Sequence, residues 1–118
     1  MIASYKDLEV YQKSYSLALQ IHQITQKYPK YERYEIGSQL RRAAISIPLN
    51  IAEGYGKKES RQEFKRFLRI AQGSSNETIV LIELSKDLGY VEQDLANKLI
   101  EDYEVLGRRI NTLVKRWH

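Results

Sequence analysis

The segment KKESRQEFKRFLR, residues 57–69, places Arg61, Lys65 and Arg69 four residues apart. On a helix that spacing puts three cations on one face. Such a row can track phosphates, because arginine and lysine supply charge-assisted donors. Lys57 and Lys58 precede it in a predicted loop, and Arg41 and Arg42 extend it from the helix before. The same residues also fit a solvated face that Glu59 and Glu63 partly neutralise. Charge alone does not choose between the two.

Just upstream, SIPLNIAEG sets Ser46, Pro48, Asn50 and Glu53 beside apolar positions. At helical spacing Arg42, Ser46, Leu49 and Glu53 share a stripe, with Asn50 between it and the core. Arg66, Ile70, Gly73 and Glu77 share a stripe on the next helix, with Arg69 beside it. Opposite charges on two outward faces point to an interface network that fixes register, with Arg66 or Arg69 pairing Glu53 across helices or subunits. The small run Gly73-Ser74-Ser75 would let another backbone approach. A ligand-binding or catalytic role for Asn50 and Glu53 is the competing reading.

Other chemistry is sparse. Cysteine is absent, which excludes disulfides and thiolate metal sites. The two histidines, His22 and His118, form no paired Glu-x-x-His element of the kind that holds two metals in a bundle. His22 reads as a partly buried helix residue. No phosphate-binding glycine loop and no nucleophile elbow occur. The expectation is a non-enzyme with no cofactor and no metal. The start MIASYKDLEVYQKS shows no signal-peptide pattern, and no apolar run approaches the roughly 20 residues of a membrane span. A cytoplasmic protein with no membrane partner is expected.

Net charge is +4 over 118 residues, compatible with a nucleic-acid partner but weak evidence for one. The charge is uneven. Residues 57–69 hold 6 basic and 2 acidic side chains, whereas residues 70–118 hold 6 basic and 8 acidic.

These residues need helices to position them. Breaks at Tyr28-Pro29-Lys30, Gly54-Tyr55-Gly56 and Leu88-Gly89-Tyr90 divide the chain into four segments. Each has a 3.6-residue apolar period and none alternates like a strand. Helices are expected from about Lys6 to Tyr28, Tyr31 to Tyr55, Arg61 to Leu88 and Gln93 to Trp117. Short connections make neighbours antiparallel, so the expected fold is one all-α, up-down-up-down four-helix bundle over residues 1–118. Ser60-x-x-Glu63 is a capping box for the third helix. Gly89 suits a left-handed helix end, and Gly54 and Gly56 are expected to stop the second helix. Pro48 lacks a donor and clashes with the Ala44 carbonyl, so the second helix should kink near it or break.

The fourth helix carries one stripe of Leu95, Leu99, Tyr103, Leu106, Ile110, Leu113 and Trp117. The other three carry a second, outward set: Leu8, Tyr15 and Leu19; Ile45, Leu49 and Ala52; Ile70, Leu81, Leu84 and Leu88. A bundle buries one stripe per helix, and a large exposed apolar patch is unusual on a monomer. A homo-oligomer is therefore expected, with the second and third helices prominent in its interface.

The run QLRRAAISIPLNIAEGYGKKESRQEFKRFLRIAQGSSNE, Gln39 to Glu77, resembles a bacterial family. Its members are encoded in intervening sequences of 23S ribosomal RNA genes and are also labelled S23 ribosomal proteins. YKDLEVYQKSYSLALQI and KDLGYVEQDLANKLIEDYEVLGRRINTLVK resemble its two ends. The matching positions are Gln39, Arg41, Arg42, Ser46, Pro48, Asn50, Glu53, Gly54, Arg66, Arg69, Gly73, Ser74 and Glu77. Val91 and Glu92 stand where such proteins often have a serine or aspartate cap. The resemblance implies four antiparallel helices, a pentameric ring and no established activity. Accessory proteins of diversity-generating retroelements are similar in fold and assembly, and those bind nucleic acid and a reverse transcriptase. The expected function is an oligomeric accessory protein that binds nucleic acid at the junction of the second and third helices. RNA is preferred because of the family's genomic setting. The alternative is a protein-interaction scaffold, for a reverse transcriptase or another enzyme.

Overall fold

A computed structural model describes residues 1–117; His118, one of the two histidines named above, lies outside them. A 3-10 turn at Tyr5–Asp7 leads into α1 (Glu9–Thr25), a single turn α2 (Lys30–Arg33), α3 (Ile36–Gly56), α4 (Arg61–Asp87) and α5 (Gln93–Arg116). No strand occurs among the described residues. The four long helices form an antiparallel bundle 44 × 23 × 21 Å across. α3 packs on α1 and α4, α4 on α5, and α1 meets α5 to close it.

The helix ends follow local chemistry. Ser60 accepts from the Glu63 amide at 3.2 Å and starts α4. The reciprocal half of that box is absent, because the Glu63 carboxylate turns to Arg66 instead. Gly89, at φ 83°, ends α4. The Tyr90 amide reaches the Ser85 carbonyl and the Gly89 amide that of Lys86, the paired bonds of a Schellman ending. Glu92 caps α5 with its carboxylate, accepting from the Asp94 and Leu95 amides.

The first connection departs from expectation. α1 stops at Thr25, not Tyr28, and the second helix is interrupted before Ile36. Tyr28 is buried and plugs the end of the bundle. Arg33 Nε donates to the Tyr28 carbonyl at 3.2 Å, and Arg41 Nη2 donates to the Arg33 carbonyl at 2.8 Å. These bonds fold the chain back at Tyr34 and Glu35 rather than letting one helix run through.

α3 continues unbroken through Pro48, which is buried. Gly54 lies inside α3 and serves packing rather than termination. A Cβ there would sit 2.6 Å from Phe67 Cβ, so α3 and α4 approach closely at this point.

Leu17, Ile21, Leu40, Ile47, Ile51, Phe64, Leu68, Ile82, Leu99, Tyr103 and Leu106 form the fully buried centre. Burying side chains of this size contributes about 1.5–3 kcal/mol each, before the opposing chain entropy. Some outward assignments are overturned. Leu8 is only 3% exposed, because it precedes α1 in extended backbone and escapes the helical phase. Leu81 is buried because α4 packs on both α3 and α5, which widens its covered face. On α5 the buried stripe ends at Ala96 and Val114; Leu95 is 40% exposed and Leu113 half-buried. No helix among the described residues is long and apolar enough to cross a membrane.

Candidate nucleic-acid-binding surface

The α3–α4 junction is built on aromatic rings. Tyr55 closes α3, Phe64 opens α4, and Trp117 follows α5. Phe64 and Trp117 meet edge to face at 4.7 Å between centroids, and Tyr55 lies 6.0 Å from Phe64 and 6.4 Å from Trp117. Such edge-to-face pairs hold fixed geometry. Basic side chains rest on this platform. Lys58 Nζ is 4.4 Å from the Tyr55 centroid and Lys57 Nζ 5.2 Å from that of Phe67. The Arg66 guanidinium lies 4.6 Å from the Phe67 centroid. Cation–ring contacts orient these charges without neutralising them.

Lys57, Lys58, Arg61 and Arg69 are exposed and Lys65 half-exposed. None of the five takes part in a salt bridge among the described residues. The sixth cation, Arg66, is paired differently. Its Nε and Nη2 donate to Glu63 at 3.0 and 3.3 Å. That hydrogen bond holds the Glu63 carboxyl below its usual range and pushes the guanidinium up. The partner of Arg66 is thus Glu63 on its own helix, while Glu53 is exposed without a hydrogen-bonded partner among the described residues.

Arg41 and Arg42 stand apart from this surface. Arg42 begins roughly 22 Å along the α3 axis from Lys57, and its Nη1 donates to Ser38 Oγ at 2.9 Å. Arg41 is half-buried, tied to the Arg33 carbonyl, with its Nη1 buried and without a protein partner.

Of the polar residues of SIPLNIAEG, Ser46 is the one that bonds to another helix among the described residues. Ser46 Oγ lies 2.8 Å from Ser74 Oγ, linking α3 to α4. Asn50 Nδ2 donates to the Ser46 carbonyl at 2.8 Å and to its Oγ at 3.0 Å. Pro48 is packed in the α1–α3 contact. Nothing lies within 4 Å of a Cβ at Gly73, and Glu77 is exposed. These last two mark an open stretch of α4 rather than an intrachain contact.

Two cations escaped the sequence reading. Gln72 Nε2 donates to the Gly107 carbonyl at 3.4 Å, and Ser75 Oγ donates to the Tyr103 carbonyl at 3.2 Å. This register carries Arg108 and Lys115 of α5 alongside Arg69 and Lys65. The available signal was their seven-residue spacing off the apolar stripe.

An apolar groove of about 330 Å³ lies between α1 and α3, lined by Tyr15, Leu19, His22, Ile45, Pro48 and Leu49 among others. His22 is exposed there, not partly buried. No cluster of three or more His, Cys, Asp or Glu side chains suited to a metal occurs among the described residues.

A solved structure from Bacteroides thetaiotaomicron, described as a protein of unknown function from the S23 ribosomal protein family, is similar in fold. It superposes with a TM-score of 0.77 at 25% identity, covering 90% of this chain and 98% of that one. No curated protein matches the chain. The family description "23S rRNA-intervening sequence protein" matches residues 6–112, nearly the whole bundle with the basic junction inside it. The chain belongs to the 23S rRNA-intervening sequence protein family.

Proposed function

We propose that this protein is a non-enzymatic, oligomeric accessory protein of the cytoplasm that binds nucleic acid through the α3–α4 junction. The carrying observation is that Lys57, Lys58, Arg61, Lys65 and Arg69 lie together without salt-bridge partners among the described residues. Phosphates would occupy that surface by position, without base readout. RNA is the preferred ligand, in keeping with the family's description. Binding should weaken steeply with salt, since each neutralised phosphate releases counterions. A filter assay with RNA at stepped salt tests this, with the variant K57A/K58A/R61A beside the wild type. Loss of retention in the variant supports the reading; no binding by the wild type at low salt overturns it.

Assembly is part of the same proposal. Leu49 is 61% exposed, and Tyr15, Leu19, Ile70, Leu84 and Leu88 are exposed as well. Covering them with further copies would remove apolar surface from water. A ring of five, as the resemblance implies, would also repeat the basic junction and raise avidity. A monomer by light scattering at micromolar concentration would contradict it. The apolar α1–α3 groove favours a second reading, a scaffold for a protein partner such as a reverse transcriptase. A partner retained through nuclease treatment, with no RNA retention by the purified protein, would select that reading.

A further inference from the structure

We infer that the groove between α4 and α5 is the track for a single nucleic-acid strand, with Arg108 and Lys115 as phosphate contacts. This rests on the nucleic-acid reading above and extends it to residues outside the α3–α4 junction. The groove has a volume of about 500 Å³. It is lined by Gln72, Asn76, Glu104, Arg108 and Asn111 among others. Helical spacing continues the α4 face beyond it through Arg69 and Lys65, and the α5 face through Lys115.

The walls are in a fixed register. From the Gln72–Gly107 bond, Lys65 and Lys115 each lie roughly 10–12 Å toward the junction end. The cations of both faces therefore gather at the junction end of the groove, on the side of Lys57, Lys58 and Arg61. At the other half Glu104 faces Asn76, with Glu83 a further two turns along α4. The basic run is closed at that end by carboxylates, which repel phosphate.

Asn111 lies between Arg108 and Lys115, and Gln72 and Asn76 line the groove beyond Arg69. Asn76 and Asn111 make no side-chain hydrogen bond among the described residues, and Gln72 makes only the long one to Gly107. Amides offer paired donors and acceptors suited to base edges. Val80, 64% exposed at the rim, adds apolar contact. The sole aromatic lining, Tyr103, is fully buried, so bases would be met by amides rather than by stacking. Packed helix axes stand about 8–10 Å apart. The depression between two helices packed so closely is narrower than a duplex, and one strand can follow it.

The experiment is a fluorescence-anisotropy titration of the full chain against a labelled single-stranded RNA of mixed sequence, at stepped salt. The same strand annealed to its complement forms a second arm. R108A/K115A should weaken single-strand binding roughly tenfold or more at low salt. It should also flatten the slope of log affinity against log salt by about 1.4, or about 0.7 per lost contact. E104K should tighten binding by extending the basic run, a gain that damage to the fold would not mimic. Circular dichroism melts matching the wild type exclude unfolding of either variant. N76A/N111A should alter preference among homopolymers while leaving the salt slope unchanged; unaltered preference would remove the amides from base contact. If R108A/K115A and E104K bind as the wild type while K57A/K58A/R61A fails, the groove is not the track, though the nucleic-acid reading stands. Tighter binding to the duplex arm also overturns the groove. No binding by the wild type to either arm overturns both.

Discussion

Arginine does opposite things at the two ends of α3. At the α2 end, Arg33 and Arg41 donate to main-chain carbonyls and hold a chain reversal around buried Tyr28. At the junction end, Arg61 and Arg69 stand in solvent with no acidic partner among the described residues. The side chain is identical and the roles differ because of what lies within its reach. An arginine near unpaired carbonyls becomes part of the fold, since a lost acceptor in a half-buried place is costly. An arginine on an exposed helix face with no acceptor within reach keeps its charge available for another molecule. Basic residues therefore cannot be pooled into one surface by count alone.

The largest test of this contrast is a matched pair of substitutions. Arg41→Ala should lower stability in urea by about 1–3 kcal/mol, because the Arg33 carbonyl loses its donor, and leave RNA affinity unchanged. Arg61→Ala should do the reverse: an unchanged urea midpoint and weaker RNA retention at low salt. Equal effects of the two on either measurement would erase the distinction.

A smaller effect separates the α2 end by pH. The Tyr28 hydroxyl is pushed above its ordinary value by burial, and that of Tyr90 by its 2.7 Å hydrogen bond to Glu32. Burial pushes Tyr103 up in the core. A raised folded value means stability is full below the unfolded value, near 10, and declines as pH rises beyond it. Thermal midpoints should hold up to about pH 10 and then fall. Tyr90→Phe should shift the midpoint down at neutral pH and make the alkaline fall shallower. No change in either respect would remove the Tyr90–Glu32 bond from the account of the α2 end.

The smallest effect belongs to the junction. Glu63→Gln should release Arg66 and add a cation to the surface, tightening RNA binding by roughly twofold to threefold and steepening its salt dependence slightly. Unchanged affinity would place Arg66 outside the contact surface.

Much of the bundle was legible in the sequence because its signals are local. The Ser60 cap, the Gly89 ending and the central α5 stripe from Leu99 to Ile110 each depend on residues within a turn or two. Leu8 departs from its helical phase because the chain is still extended there. Arg41 reads from the sequence as a candidate phosphate contact, and nothing local reveals the Arg33 carbonyl that takes its Nη2. The placement of Arg108 and Lys115 is hidden from the sequence for a similar reason. Only the register between α4 and α5 brings them to Lys65 and Arg69, and register is a long-range property.

The contact at Gly54 has an effect beyond packing. Phe67 is both the side chain pressed against Gly54 and the ring on which Lys57 and Arg66 rest. A methyl group added at position 54 would meet the Phe67 Cβ, which is fixed to the α4 backbone, so α4 would have to move away and carry with it the ring beneath two positive charges, without altering either one. The hidden face of the helix pair thus works as a lever on the electrostatic outline of the protein. An uncharged change in the interior can redraw what a polyanion meets outside.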